Sequence, residues 1–310
     1  MINDIPQISV ILSVFNGETY IARALLSILT QSYKNFELIV MDDGSRDRTP
    51  EIIETFDDPR LRFVRQKNMG LTKTLNKALG MARGKWIARH DADDFSIYTR
   101  FERQLKFLQE NETVEMLGSS CFIQPEDKGY INEIYNYPSH QGQIMASFLR
   151  YNPFVHGSMM VKKKLIQANG GYDEAYPYVQ DYELWSRLIP QTGYRNLSDP
   201  LYVRSVHKET TQSLVNKEPI FNKIRDIYLE TYLGKTGSME ANQNFCPIQS
   251  ISIYPAITLK NKWNKDISQT FRRMGKMARQ LNLQWKRLTL QSFLYYPWVL
   301  GWAGNNDEQD

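Results

Sequence analysis

The first ninety residues alternate short apolar runs with helical periodicity, and this alternation constrains the fold more than any other feature of the chain. Ile8–Val14 is nearly continuous, apolar and rich in β-branched residues, the pattern of a strand covered on both faces. From Thr19 onward, Tyr20, Ile21, Ala24, Leu25, Ile28 and Leu29 recur at the spacing of an amphipathic helix. Residues 36–41 repeat the strand pattern, and Thr49-Pro50 reads as a helix N-cap followed by proline at the first helical position. Ile52, Ile53 and Phe56 give that helix its apolar face. A third strand is expected over 61–64, a helix over 71–82 ended by Gly84, and a fourth strand over 86–89. Strands and helices at this spacing imply an α/β fold, with a mainly parallel sheet and right-handed crossovers.

Three of these strands stop at polar signatures: Phe15-Asn16-Gly17, Asp42-Asp43-Gly44-Ser45 and Asp91-Ala92-Asp93-Asp94. In open α/β sheets ligands bind beyond the carboxyl ends of the strands, so three polar ends together mark a site. The last signature has two readings. Its carboxylates share a hard cation such as Mg²⁺ or Mn²⁺, or they form an ordinary acidic turn. The glycine-rich phosphate loops are missing: Val14-Phe15-Asn16-Gly17-Glu18-Thr19 holds one glycine, and no G-x-x-x-x-G-K-[ST] occurs. Phosphates bound here need another partner, and a cation held by Asp91 and Asp93 would supply it.

Further along, a helix is expected to end near Asn111, a strand over 116–123, and a strand within 152–161 followed by a basic helix start at 162–165. Residues 124–150 are aromatic and loop-rich, without a readable period. Gly170-Gly171-Tyr172-Asp173 forms a turn, and Gln180-Asp181-Tyr182-Glu183-Leu184-Trp185 opens a helix. The two cysteines, Cys121 and Cys246, lack ligand spacing, which argues against a disulfide framework or a zinc site. No secretory pattern opens the chain and no apolar run is long enough to span a membrane, so the cytoplasm is the default expectation. The net charge of +4 is unevenly placed. Residues 260–287 carry nine Lys or Arg against one acid, which leaves the remainder net acidic.

With these motifs in order, the chain resembles the family 2 glycosyltransferases of the GT-A fold, over roughly residues 6–215. The motifs are Val10-Ile11-Leu12-Ser13-Val14-Phe15-Asn16, Asp42-Asp43-Gly44-Ser45, Asn68-x-Gly70 with Asn76, Asp91-Ala92-Asp93-Asp94, His156-Gly157-Ser158, Gly171-Tyr172-Asp173 and Gln180-Asp181-Tyr182-Glu183-Leu184-Trp185. The resemblance implies a Rossmann-like, mixed, mainly parallel sheet flanked by helices. It also implies an inverting transfer from a nucleotide-diphosphate sugar to a saccharide or lipid-linked acceptor, in cell-surface polysaccharide or glycolipid assembly. Residue by residue, it assigns Ser13, Phe15 and Asp43 to the nucleotide, with Asp43 accepting from a base imide. Asp91 falls to the ribose or the ion's waters, and Asp93 to a Mn²⁺ or Mg²⁺ ion. Asp94 is left between the ion and a helix cap. Asp181 becomes the general base, with Gln180 standing where many members have Glu. His207 is assigned as a third metal ligand, Arg204 to phosphate, and His156 and Trp185 to the acceptor side; His90 and His140 are read as structural.

Beyond residue 215 the resemblance fades, and a helical extension over 216–310 is expected, with helices near 220–233 and 264–290. Its basic residues lead into Tyr295-Tyr296-Pro297-Trp298. That suits peripheral contact with an anionic membrane, or equally a helix packed on the catalytic domain with its basic face solvated. No nucleic-acid motif accompanies the charge. A nucleotidyltransferase would need a glycine-rich basic loop after the first strand. A silent sugar-binding or scaffold protein of the same fold would be marked by loss of Asp93 or Asp181, and both are present.

Overall fold

The computed structural model describes residues 5–126, 131, 133–207, 217–233, 252–255 and 260–280. The expected alternation is realised. Strands β1 (Ile8–Val14), β2 (Phe36–Asp42), β3 (Leu61–Arg65) and β4 (Trp86–Asp91) lie parallel in the order β3-β2-β1-β4. Helices α1 (Ile21–Leu29), α2 (Thr49–Glu54) and α3 (Leu71–Met81) make the crossovers. Every residue of β2 is buried, which is why its interior, Leu38 to Met41, is a continuous apolar run rather than an alternating one.

The second half of the sheet is mixed. After β5 (Phe95–Ser96) and α4 (Arg100–Glu110) come β6 (Val114–Pro125), β7 (Glu133–Asn136) and α5 (Gln141–Phe148). A single 3-10 turn at His156–Ser158 leads into β8 (Met160–Lys162), followed by α6 (Lys163–Ala168), α7 (Gln180–Leu188) and β9 (Gly193–Val206). Strand β8 runs antiparallel between β4 and β6, while β9 lies parallel to β6 along its whole length and reaches β5 at its far end. Helix α8 (Glu218–Leu233), strand β10 (Ser252–Pro255) and helix α9 (Lys260–Gln280) complete the described elements, with β10 on the β7 edge.

The two faces of the sheet carry separate cores. Ile8, Val10 and Leu12 meet α1, α4 and α9 on one face, and Ile11, Ile39 and Met41 meet α3, α7 and α8 on the other, the period-two division of a strand. Helix α9 buries Ile267, Phe271 and Met274 in the first core. Phe271 stands 5.6 Å from Phe95, and Thr270 Oγ1 accepts the Tyr98 N–H at 2.8 Å. Helix α8 adds Ile224 and Tyr228 to the second core.

Several local expectations change. The strand sought within 152–161 is interrupted by the 3-10 turn, and only glycine fits at its centre, since a β-carbon at Gly157 would lie 2.1 Å from the Tyr202 hydroxyl. Arg48, not Thr49, is the N-cap of α2; the Thr49 hydroxyl instead accepts the Gly17 N–H at 2.8 Å. The unreadable stretch 124–150 contains β7 and α5, and β9 went unpredicted. Pro200 lies within β9, where its pairing with β6 shifts register. The last expected helix begins at Lys260, and residues 281–310 with their aromatic run lie outside the described residues. Among the described residues no helix is long and apolar enough to cross a membrane.

Candidate active site

A cleft of about 680 Å³ opens where β1, β4, β6 and β9 end. Ser13 to Gly17 form one wall with Tyr20 and Leu71, and Arg89, Asp91, Ala92, Asp93, Glu126 and His207 form the other. The strand ends are tied together. Asn16, in the left-handed region at φ 53°, donates its N–H to the Ser45 hydroxyl at 2.9 Å and accepts the Arg46 N–H at 2.9 Å.

The acidic turn is built on buried cations. Arg89 donates to Asp91 Oδ1 at 2.7 Å and also to the His90 carbonyl. Arg100 donates to the carbonyls of Arg89 at 3.0 Å and Met159 at 3.3 Å, which fixes β4 against β8. Arg23 of α1 donates to the Asp93 carbonyl at 2.6 Å, Ser205 Oγ at 2.8 Å and Gln124 Oε1 at 2.9 Å. Asp94 is no helix cap: it is buried, and its Oδ1 accepts the Ser205 N–H at 2.7 Å, pinning the turn to β9. Burial, then the neighbouring Asp93 and Asp91, push the Asp94 carboxyl well above the usual carboxylate range. His90 is buried beneath the turn; burial and Arg100 push its imidazole down to about 3, which fits the structural reading.

Asp93 and His207 meet at the mouth of the cleft, with Oδ2 and Nε2 3.0 Å apart. Burial opposes ionisation of Asp93, but the hydrogen bond and charge of His207 outweigh it and hold the carboxyl low. That same bond raises the His207 imidazole, against the opposing effect of burial and with help from Glu126. Among the described residues no group of three His, Cys, Asp or Glu side chains could hold an ion unaided.

The structure places the other candidates in three settings. Ser13 and the exposed Phe15 line the cleft, as does Asp91. Asp43 is buried and both its oxygens are committed to the loop before α3: Oδ1 accepts from Met69 N–H and the Gln66 amide, and Oδ2 from Gly70 N–H, each at 2.9 Å. Arg204, half-buried on β9, lies outside the cleft wall; burial lowers its pKa, but Tyr137 and Asp94 outweigh that and raise it.

Asp181, His156 and Trp185 form a separate group beside the cleft. Asp181 is the second residue of α7, and its Oδ2 accepts the Asn152 amide at 2.6 Å. His156 Nε2 lies 2.9 Å from the Tyr172 hydroxyl. Asn76 of α3 sets that tyrosine by pairing with its N–H at 2.9 Å and its carbonyl at 2.8 Å. Burial and Arg89 push the His156 imidazole down to about 4, while Asp181 and Asp91 both pull it up. One imidazole thus feels the carboxylates of both groups. Trp185 is 1% exposed and packs 6.0 Å from the His156 ring, beneath the surface.

Sequence reasoning missed Tyr20, Arg23, Arg89 and Glu126. Arg23 and Arg89 left a signal, each a charge inside a mainly apolar segment, the Ile21–Leu29 helix and the strand from Trp86.

A sequence model of Glycosyl transferase family 2 matches residues 9–169. The O-antigen biosynthesis glycosyltransferase WbnJ of Escherichia coli is 31% identical over 216 residues, covering 67% of this chain and 83% of its own. S. aureus TarS 1-349, in complex with UDP-GlcNAc, has a TM-score of 0.58 at 18% identity, covering 94% of this chain and 86% of that one. The mannosyltransferase PcManGT of Pyrobaculum calidifontis, in complex with GDP-Man and Mn²⁺, has a TM-score of 0.52 at 19% identity, covering 90% and 76%. These two likenesses establish the GT-A fold. With half of its residues inside the family match, and a relative 31% identical over two thirds of its length, the chain belongs to glycosyl transferase family 2.

Proposed function

We propose that this glycosyltransferase moves a sugar from a nucleoside-diphosphate sugar to an acceptor hydroxyl, with inversion at the anomeric carbon, in polysaccharide assembly. The observation that carries the reading is the Asp93–His207 pair, 3.0 Å apart at the mouth of a strand-end cleft. The donor class is supported by UDP-GlcNAc in TarS and GDP-Man in PcManGT, and the polymer by the O-antigen relative.

Mn²⁺ or Mg²⁺ fits the pair, since a carboxylate oxygen and an imidazole nitrogen already converge there. With only these two protein donors in place, diphosphate oxygens and water would complete the shell, as is usual for ions that arrive with phosphates. When bound, the ion neutralises charge gathering on the departing diphosphate. Phe15 and Leu71 supply apolar walls for the base, and Asp43 serves it indirectly by holding the loop that carries Leu71. Asp91, oriented by Arg89, faces the ribose. Asp181 accepts the proton of the acceptor hydroxyl as that oxygen bonds to the anomeric carbon and the carbon–oxygen bond to diphosphate breaks. Asn152 fixes the carboxylate's orientation, and His156, backed by Trp185, borders the acceptor.

A panel of UDP-, GDP- and dTDP-sugars with Mn²⁺, followed by transfer and thermal shift, tests this. Asp93→Ala is expected to lose cation-dependent donor binding, and Asp181→Asn to keep binding and lose transfer. Normal transfer by Asp181→Asn would remove it as the base. Helix α9 turns its apolar side into the core and exposes Arg272, Arg273 and Lys276. Peripheral contact with an anionic membrane would therefore be electrostatic at this helix, and flotation with anionic liposomes that is insensitive to salt would contradict that.

A further inference from the structure

We infer that Tyr20 and Glu126 are positioning residues that set the ring of His207 for its contact with Asp93. His207 has a neighbour on each ring nitrogen. Nε2 is 3.0 Å from Asp93 Oδ2, and Nδ1 is 3.3 Å from the Tyr20 hydroxyl. That hydroxyl is 3.1 Å from Glu126 Oε1, and Glu126 Oε2 is 3.6 Å from Nδ1. The phenol has one proton, and it is donated to the Glu126 carboxylate, which can only accept. The phenol oxygen then accepts, and Nδ1 must be the donor. A chain of carboxylate, phenol, imidazole and carboxylate results. It fixes which nitrogen faces the cleft and leaves the Nε2 lone pair for whatever displaces a proton there.

The four groups come from four places: the ends of β4, β6 and β9 and the N-terminus of α1. Tyr20 is held by its N–H on the Gly17 carbonyl at 3.0 Å, and its ring lies 4.7 Å from that of His207. The Arg23 guanidinium, which also grips the Asp93 carbonyl, sits 5.6 Å from the Tyr20 ring. Helix α1 therefore carries the support for both members of the pair. Histidines that bind cations are generally oriented by an acceptor on the other nitrogen, and loss of such a partner weakens binding about 10- to 100-fold.

The cation in this inference rests on the proposed function; the ring orientation does not. The test uses the full chain and the variants Tyr20→Phe, Glu126→Ala and Glu126→Gln. Mn²⁺ alone is titrated by electron paramagnetic resonance of the free ion. The ¹⁵N shifts of the His207 ring are read without cation, assigned by loss of the signal in His207→Gln. Tyr20→Phe and Glu126→Ala should bind Mn²⁺ about 10- to 100-fold more weakly and lose the Nδ1-protonated pattern. Glu126→Gln should stay near wild type, because its carbonyl still accepts the phenol proton. Variants that unfold like wild type, with unchanged Mn²⁺ affinity and unchanged ¹⁵N shifts, would overturn the inference. If the wild type binds no Mn²⁺, the metal reading fails and the ring shifts alone decide: an unchanged pattern in Tyr20→Phe overturns the inference, and a lost one upholds it.

Discussion

Replacing Arg23 by Met would test whether buried cations hold the acidic turn in place. The methionine keeps an apolar stem where the guanidinium now lies 5.0 Å from the Phe95 ring and 5.6 Å from Tyr20, so the loss is mainly polar. Three hydrogen bonds disappear, but their acceptors fare differently. The Asp93 carbonyl and the Ser205 hydroxyl still have each other at 2.7 Å, whereas Gln124 Oε1 loses the Arg23 donor that held it at 2.9 Å. Losing a hydrogen bond from a charged donor costs about 1.5–3 kcal/mol. Asp93 and Asp94 also lose the guanidinium charge that faces both. Recovered hydration of the guanidinium offsets part of this. A net loss of about 3 kcal/mol follows, which at about 2 °C per kcal/mol for a chain of this size lowers the melting temperature by about 6 °C. The cleanest assay is a cycle with Gln124→Met, which removes the side-chain acceptor of Arg23 and keeps its volume. On that background Arg23→Met should cost about 1–2 kcal/mol less in urea unfolding. Equal costs on both backgrounds, or a cost under about 0.5 kcal/mol on either, would refute the argument.

Two further outcomes follow from the geometry. Gly157→Ala would put a β-carbon 2.1 Å from the buried Tyr202 hydroxyl and 2.8 Å from Asp91 Oδ2. It should cost about 1–3 kcal/mol in unfolding experiments and raise the donor KM by displacing Asp91. Gly142→Ala, where nothing lies within 4 Å, serves as the silent control. Glu37 is buried at the other end of β2. Burial opposes its ionisation, but the Ser9 hydroxyl at 2.6 Å and the N–H and guanidinium of Arg83 outweigh that and lower its pKa. A lowered carboxyl stabilises the fold above its unfolded pKa of about 4.3 and loses that contribution as pH falls through the lower folded value. Glu37→Gln should therefore cost about 2 kcal/mol at pH 7 and little below pH 3, as read by urea unfolding at each pH. Equal cost at both pH values would contradict the assignment.

The sheet was legible because its driving pattern is local. A strand buried on both faces is apolar along its interior, and Val10 to Leu12 and Leu38 to Met41 say so without any knowledge of neighbours. Residue types at strand ends were legible for a similar reason: Asp91 and Asp93 follow directly from an apolar run. The need for glycine at 157 was not, since it depends on Tyr202 arriving from β9, far along the chain. Strand β9 was also hidden, because Pro200 interrupts the pattern that a strand finder needs.

Motif resemblance pointed to Asp93, His207 and Asp181, while the sequence pattern taken alone determined an α/β fold and the succession of its first four strands along the chain. Hydrophobic periodicity and strand-end composition carry that information within a few residues. Only the tertiary structure decided how the carboxylates divide. Asp43 clamps the loop before α3, Asp94 pins the turn to β9, and Asp93 alone of the three meets an imidazole. It also showed Arg23, Arg89 and Arg100 beneath the turn, and Tyr20 and Glu126 beside His207. The reason is physical. Charge inside a protein depends on which opposite charges and donors reach it through space, and those partners lie on elements that chain order does not place side by side.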